Sequence, residues 1–211
     1  MRREYNISDS YIDYLKSLGC VLYLPLGADG DLKDYISGNN LVPTGTGSIA
    51  WDNTIQMYVI TTPNSYNVKI ATLNSLIPTS DWSADIVSGS IQMQKVSNSG
   101  YSEIFCVGDY NGCLYPTAAN RQTNNLNAWT SGLHDSGMVF KSNRRVWYED
   151  GAQARSDTYG GRAPHSWATS KEFFIGSSSS NTRNTSIAVA NVMLFNKELA
   201  LADYRKINGY A

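Results

Sequence analysis

Turn-forming residues interrupt this chain every few positions, and that interruption limits it to short elements. Ser, Thr, Asn and Gly crowd the stretches between brief apolar runs. Such punctuation is the mark of many short strands joined by tight turns. Cys20-Val21-Leu22-Tyr23-Leu24-Pro25-Leu26 is an extended apolar run. Pro25 has no N–H to donate, so it belongs at a strand end or edge. Ile55, Met57 and Val59 alternate with other residues like a half-buried strand. Ile91–Gln94, Glu103–Val107, Met138–Phe140, Arg145–Tyr148 and Phe173–Ile175 read as further strands. Ile187–Phe195 is the longest candidate. Asn111-Gly112 and Asp150-Gly151 are dipeptides that suit two-residue hairpin turns.

Helical spacing occurs only near the two ends. Tyr11, Tyr14, Leu15 and Leu18 recur as one helix face, with Ser8 or Asp9 as the side-chain cap and Gly19 as the stop. Glu198, Leu199, Leu201, Ala202, Tyr204 and Ile207 fit a second short helix that Gly209 ends. The expected fold is therefore all-β, a two-sheet antiparallel jelly-roll sandwich with a short N-terminal and a short C-terminal helix. Residues 1–19 form a helical extension and residues 20–211 the jelly-roll domain. No linker or internal repeat divides the chain.

Charge excludes some partners. Net charge is −1, from 17 basic and 18 acidic residues, and the short Arg144-Arg145 pair reads as a solvated strand entry. A nucleic-acid binder needs a basic stripe to neutralise phosphates, so no nucleic acid is expected as a partner. No apolar run approaches the ~18–20 residues of a membrane span. Met1–Asn6 has no apolar run behind it and does not read as a secretory signal. Three cysteines, Cys20, Cys106 and Cys113, are an odd and widely spaced set. They are expected as buried free thiols, although Cys106 and Cys113 flank a hairpin turn, which makes a bridge between them geometrically conceivable.

Three stretches together resemble the laminin-G-like jelly roll of the concanavalin A-like lectin and glucanase superfamily. The first is Leu22–Leu26 followed by Asp34-Tyr35-Ile36-Ser37-Gly38-Asn39, an Asp-x-x-Ser-Gly-Asn turn. The second is Val146-Trp147-Tyr148-Glu149-Asp150-Gly151, a strand ending at a tight turn. The third is Phe173-Phe174-Ile175-Gly176, then Ile187–Phe195, then Asn196-Lys197-Glu198-Leu199. They span residues 20 to 205. Ser186 stands where the family usually has glycine, and the N-terminal helix is additional.

Some members of that superfamily hydrolyse glycosides. Retaining hydrolysis needs two carboxyl groups about 5–5.5 Å apart. The glucanase pattern Glu-x-Asp-x-x-Glu, which aims acids from one strand into one cleft, is absent here. Asp81, Asp85, Glu103, Glu149 and Asp150 read as turn or surface acids. The histidines, His134 and His165, lie in no nucleophile setting, and there is no Gly-x-Ser-x-Gly elbow. The chain is therefore not expected to be an enzyme.

The resemblance implies a lectin-like or adhesion module whose partner is a glycan or cell-surface polysaccharide. Sugars sit on exposed aromatic faces, with amides and carboxylates meeting the hydroxyls. Tyr110, Trp129, Tyr159 and Trp167 fall in polar stretches and are the platform candidates. Asp109, Asn111, Arg162 and His165 are their polar partners. Trp51, Trp147 and Phe195 fall in strands and are expected in the core. No cofactor is required, but many laminin-G-like domains bind calcium. Asp29, Asp31 and Asp34 are the candidate calcium ligands, with carbonyls completing the shell. The competing reading is a structural or assembly protein, such as a virion fibre, decoration or attachment component. The N-terminal helix would then dock to a scaffold protein or pair in a homo-oligomer.

Overall fold

The computed structural model describes residues 6–26, 30–45, 48–53, 57–61, 66–69, 82–90, 105–107, 113–114, 132–140, 144–158, 172–175 and 188–210. Among the described residues strands dominate, and every strand pair is antiparallel. The elements run α1 (Asp9–Ser17), β1 (Cys20–Leu24), β2 (Pro43–Gly45), β3 (Ser48–Asp52), β4 (Met57–Thr61), β5 (Tyr66–Lys69) and β6 (Trp82–Ser90). Then come β7 (Phe105–Val107), β8 (Cys113–Leu114), β9 (Gly132–Phe140), β10 (Arg144–Glu149), β11 (Ala152–Thr158), β12 (Glu172–Ile175), β13 (Ala188–Phe195) and α2 (Leu201–Ile207). Among the described residues no helix is long and apolar enough to cross a membrane.

The strands form two sheets. The larger has the order β11-β10-β9-β6-β13-β4-β3, with β1 also on β13. β13 is its hub: β6 runs along one edge, while β4 takes Ala188 and Val189 and β1 takes Val192–Phe195 on the other. The smaller sheet has the order β2-β5-β12-β7-β8.

Both faces of the large sheet are buried near its centre. Tyr23, Val139, Val146, Tyr148, Met193 and Phe195 pack with Ile12 and Leu15 of α1 and with Tyr204 and Ile207 of α2. Their strand neighbours Leu22, Leu24, Met138, Trp147, Val192 and Leu194 alternate onto the opposite face and are equally buried. Double burial explains why β1 and β13 are continuous apolar runs instead of alternating ones. Each large side chain so buried stabilises by roughly 1.5–3 kcal/mol.

Both helices stop as their glycines require. Gly19 has φ +78° and Gly209 φ +71°. At α2 the Tyr210 N–H donates to Arg205 O (2.8 Å) and Gly209 N–H to Lys206 O (3.4 Å), a Schellman closure. The start of α1 departs from expectation. Neither Ser8 nor Asp9 caps it through a side chain; Ser8 lies at the N-cap, and its carbonyl accepts from Tyr11 and Ile12 N–H instead. Ile12, not part of the expected face, is its second buried anchor beside Leu15. Tyr11, Tyr14 and Leu18 of α1, partly buried, also pack against the same core cluster.

Residues 150 and 151 make the expected hairpin turn between β10 and β11, with φ +45° at Asp150 and +85° at Gly151. Two successive positive values define the turn type that matches strand twist. The Asn111-Gly112 turn and the Ile91–Gln94 strand lie outside the described residues. Cys20 is a buried free thiol on β1, and its Sγ donates to Leu22 O.

Candidate functional site

The acidic candidates divide. Asp29 lies outside the described residues, and Asp31 is exposed. Asp34 is only 3% exposed. Its Oδ1 accepts from Tyr23 N–H (3.0 Å) and Ile36 N–H (2.9 Å), and its Oδ2 from Ser37 N–H (3.2 Å) and the Ser37 hydroxyl. Gly38 N–H returns to Asp34 O (2.8 Å), with Gly38 at φ +76°. This carboxylate therefore ties the Asp-x-x-Ser-Gly-Asn turn to β1, which is the physical content of that motif. Among the described residues no cluster of three or more His, Cys, Asp or Glu could hold a metal ion.

All eight residues proposed for ligand contact, Asp109, Tyr110, Asn111, Trp129, Tyr159, Arg162, His165 and Trp167, lie outside the described residues. Two of the three aromatics assigned to the core are there: Trp147 and Phe195 are buried. Trp51 is not. It is 46% exposed on β3, the end strand of the large sheet. Its ring meets Tyr58 edge-on, with centroids 5.2 Å apart and planes at 75°. Its Nε1–H donates to Asn53 Oδ1 (3.1 Å). Tyr58 lies over Gly30, where a Cβ would come within 2.7 Å of the ring. Edge-on contact with Tyr58 and the bond to Asn53 hold an exposed indole in one orientation. Its exposure follows from the place of β3 at the end of the strand order, which no local pattern in Ser48–Asp52 announces.

A second cluster was also missed. Tyr210 Oη donates to Asp135 Oδ2 (2.6 Å) and lies 3.4 Å from Asp150 Oδ1. Asp150 Oδ1 accepts from Asp135 N–H (3.1 Å), and Tyr204 Oη donates to Asp135 O (3.1 Å). Arg205 Nε donates to Gly151 O (2.6 Å). Two carboxyl groups thus share one phenol between them. The whole set ties the β10–β11 turn to the C-terminal segment. Asp135 is silent in sequence because its partners come from residues 150, 204 and 210.

No family model matches the chain, and no curated protein matches it. Solved structures do. Domain 4 of AbnA, an extracellular arabinanase from Geobacillus stearothermophilus, solved with arabinotriose, superposes with TM-score 0.66 at 10% identity. The match covers 90% of this chain and 98% of that one. The likeness is one of fold. The binding domain of Botulinum neurotoxin DC, solved with rat synaptotagmin II, gives TM-score 0.60 at 12% identity, covering 90% of this chain and 51% of that one. Trypanosoma rangeli sialidase with the inhibitor DANA gives 0.59 at 12% identity, covering 89% and 32%. The shared architecture is β-rich and antiparallel.

Proposed function

We propose that this chain is a non-catalytic carbohydrate-binding domain on a two-sheet jelly roll of the laminin-G-like kind. The observation that carries the reading is Trp51, an indole held half-open on an end strand by Tyr58 and Asn53. Exposed, oriented aromatics suit the C–H faces of sugars, and an adjacent amide suits their hydroxyls. The fold likeness supports it, since the arabinanase domain matched over 98% of its length was solved with arabinotriose. This architecture hosts many functions, so the site has to carry the argument. Tyr110, Trp129, Tyr159 and Trp167, with Asp109, Asn111, Arg162 and His165, are proposed as a second platform. Any calcium would draw on Asp29, Asp31 and carbonyls, because the Asp34 oxygens already accept from the chain's own donors.

A glycan array with arabinan and sialylated oligosaccharides, run with and without calcium, tests this. Trp51→Ala is expected to weaken binding roughly 30-fold, as loss of an anchoring Trp does, with unchanged circular dichroism. Undiminished binding in Trp51→Ala removes this platform, and release of sugar from a polysaccharide by clean protein removes the non-catalytic reading.

A further inference from the structure

The smaller sheet places two cysteines directly opposite each other. In the β7–β8 pair Cys106 is the register partner of Cys113, and Phe105 that of Leu114. Cα atoms of directly opposed antiparallel residues lie about 4.5–5.5 Å apart, within the ~4.4–6.8 Å that a disulfide spans. Opposed residues also share a face. Following the register across the sheet, one face carries Pro43, Gly45, Tyr66, Val68, Phe173, Ile175, Phe105, Val107 and Leu114. The other carries Thr44, Asn67, Lys69 and Glu172 together with Phe174 and both cysteines. Cys20 belongs to the other sheet.

We propose that Cys106 and Cys113 are a redox pair that closes into a disulfide, leaving Cys20 as the spare thiol. This goes beyond the glycan reading and does not depend on it. The oxidant is a small-molecule disulfide such as oxidised glutathione. One cysteine thiolate attacks it, forming a mixed disulfide and releasing one reduced glutathione. The second cysteine thiolate then displaces the other glutathione thiolate and forms the Cys106–Cys113 bond. Two thiols lose two electrons and two protons, and one oxidised glutathione becomes two reduced ones. The bond staples β8, a two-residue strand at the end of the sheet order, to its neighbour.

The test is intact mass spectrometry of the full chain after equilibration with oxidised glutathione, then unfolding and alkylation with iodoacetamide. The expected result is a loss of two hydrogens, no glutathione adduct, and one alkylated cysteine, Cys20, in place of three. Reduction restores three. Cys106→Ser is expected to leave Cys113 carrying glutathione. Three alkylated cysteines after oxidation, separate glutathione adducts on Cys106 and Cys113, or a bridge to Cys20 would each overturn the proposal.

Discussion

Asp34 shows how one side chain can organise a turn. Its carboxylate accepts three backbone N–H groups and a hydroxyl from β1 and the 34–39 turn. Asp34→Ala leaves those buried donors without a partner, so urea denaturation is expected to show a loss of about 2–4 kcal/mol. Asp34→Asn keeps one good acceptor and is expected to cost about half as much. Tyr14 presents the opposite case. Its hydroxyl is buried with no hydrogen-bond partner among the described residues, while the Lys206 ammonium stands 4.4 Å from its ring. Burial first, and the Asp203 charge second, push its ionisation above the usual tyrosine range. Tyr14→Phe is expected to be neutral or stabilising by up to about 1 kcal/mol near pH 7. Above about pH 10 the unfolded chain ionises Tyr14 while the folded chain resists. The wild type therefore loses stability as pH climbs toward the folded value, and Tyr14→Phe does not share that part of the loss. A pH series of thermal unfolding curves checks the difference.

At the scale of elements, the hairpin of β10 and β11 joins local and long-range requirements. Asp150 and Gly151 adopt the left-handed backbone that the turn demands, a preference readable from the dipeptide. Tyr210 then packs on Gly151 so closely that a Cβ would come within 2.7 Å of its ring. Gly151→Ala meets both penalties, and a loss of at least about 2 kcal/mol is expected in equilibrium denaturation. The elements themselves were unequally legible. β1, β13 and β12 stand out as apolar runs, and both helices by spacing and terminal glycine. β6, Trp82–Ser90, is rich in Ser, Asp and Gly and carries no such signal. It is a strand because β13 and β9 flank it on both edges. The first part of β9 and all of β3, β5 and β11 were hidden for the same reason: pairing partners stabilise them more than composition does.

For the whole molecule, the large sheet is enclosed at its centre, and α1 is part of the enclosure. A chain beginning at Gly19 exposes the surface under Ile12 and Leu15, worth roughly 1.5–3 kcal/mol each. Against a typical margin of about 5–15 kcal/mol, a large drop in midpoint or loss of cooperative unfolding is expected by calorimetry. A well-folded, equally stable truncated chain would instead mean that α1 is an appendage available for docking. The same enclosure decides which aromatic side chains reach solvent. Trp147 and Trp51 both look like strand tryptophans, yet one is buried on β10, paired on both edges, and the other lies on the end strand β3.

By itself the sequence determined what depends on neighbours a few residues away. That includes the strand-rich class, the helix stops at Gly19 and Gly209, the turn at 150–151, and the doubly apolar β1 and β13. Tertiary structure alone decided that Asp34 belongs to a turn lock, that Asp135 meets Tyr210, that Trp51 is open, and that the register sets Cys106 directly opposite Cys113. Backbone dihedrals and periodicity are local quantities, legible in a short window. Strand order and register join residues far apart in the chain, and exposure follows from that order.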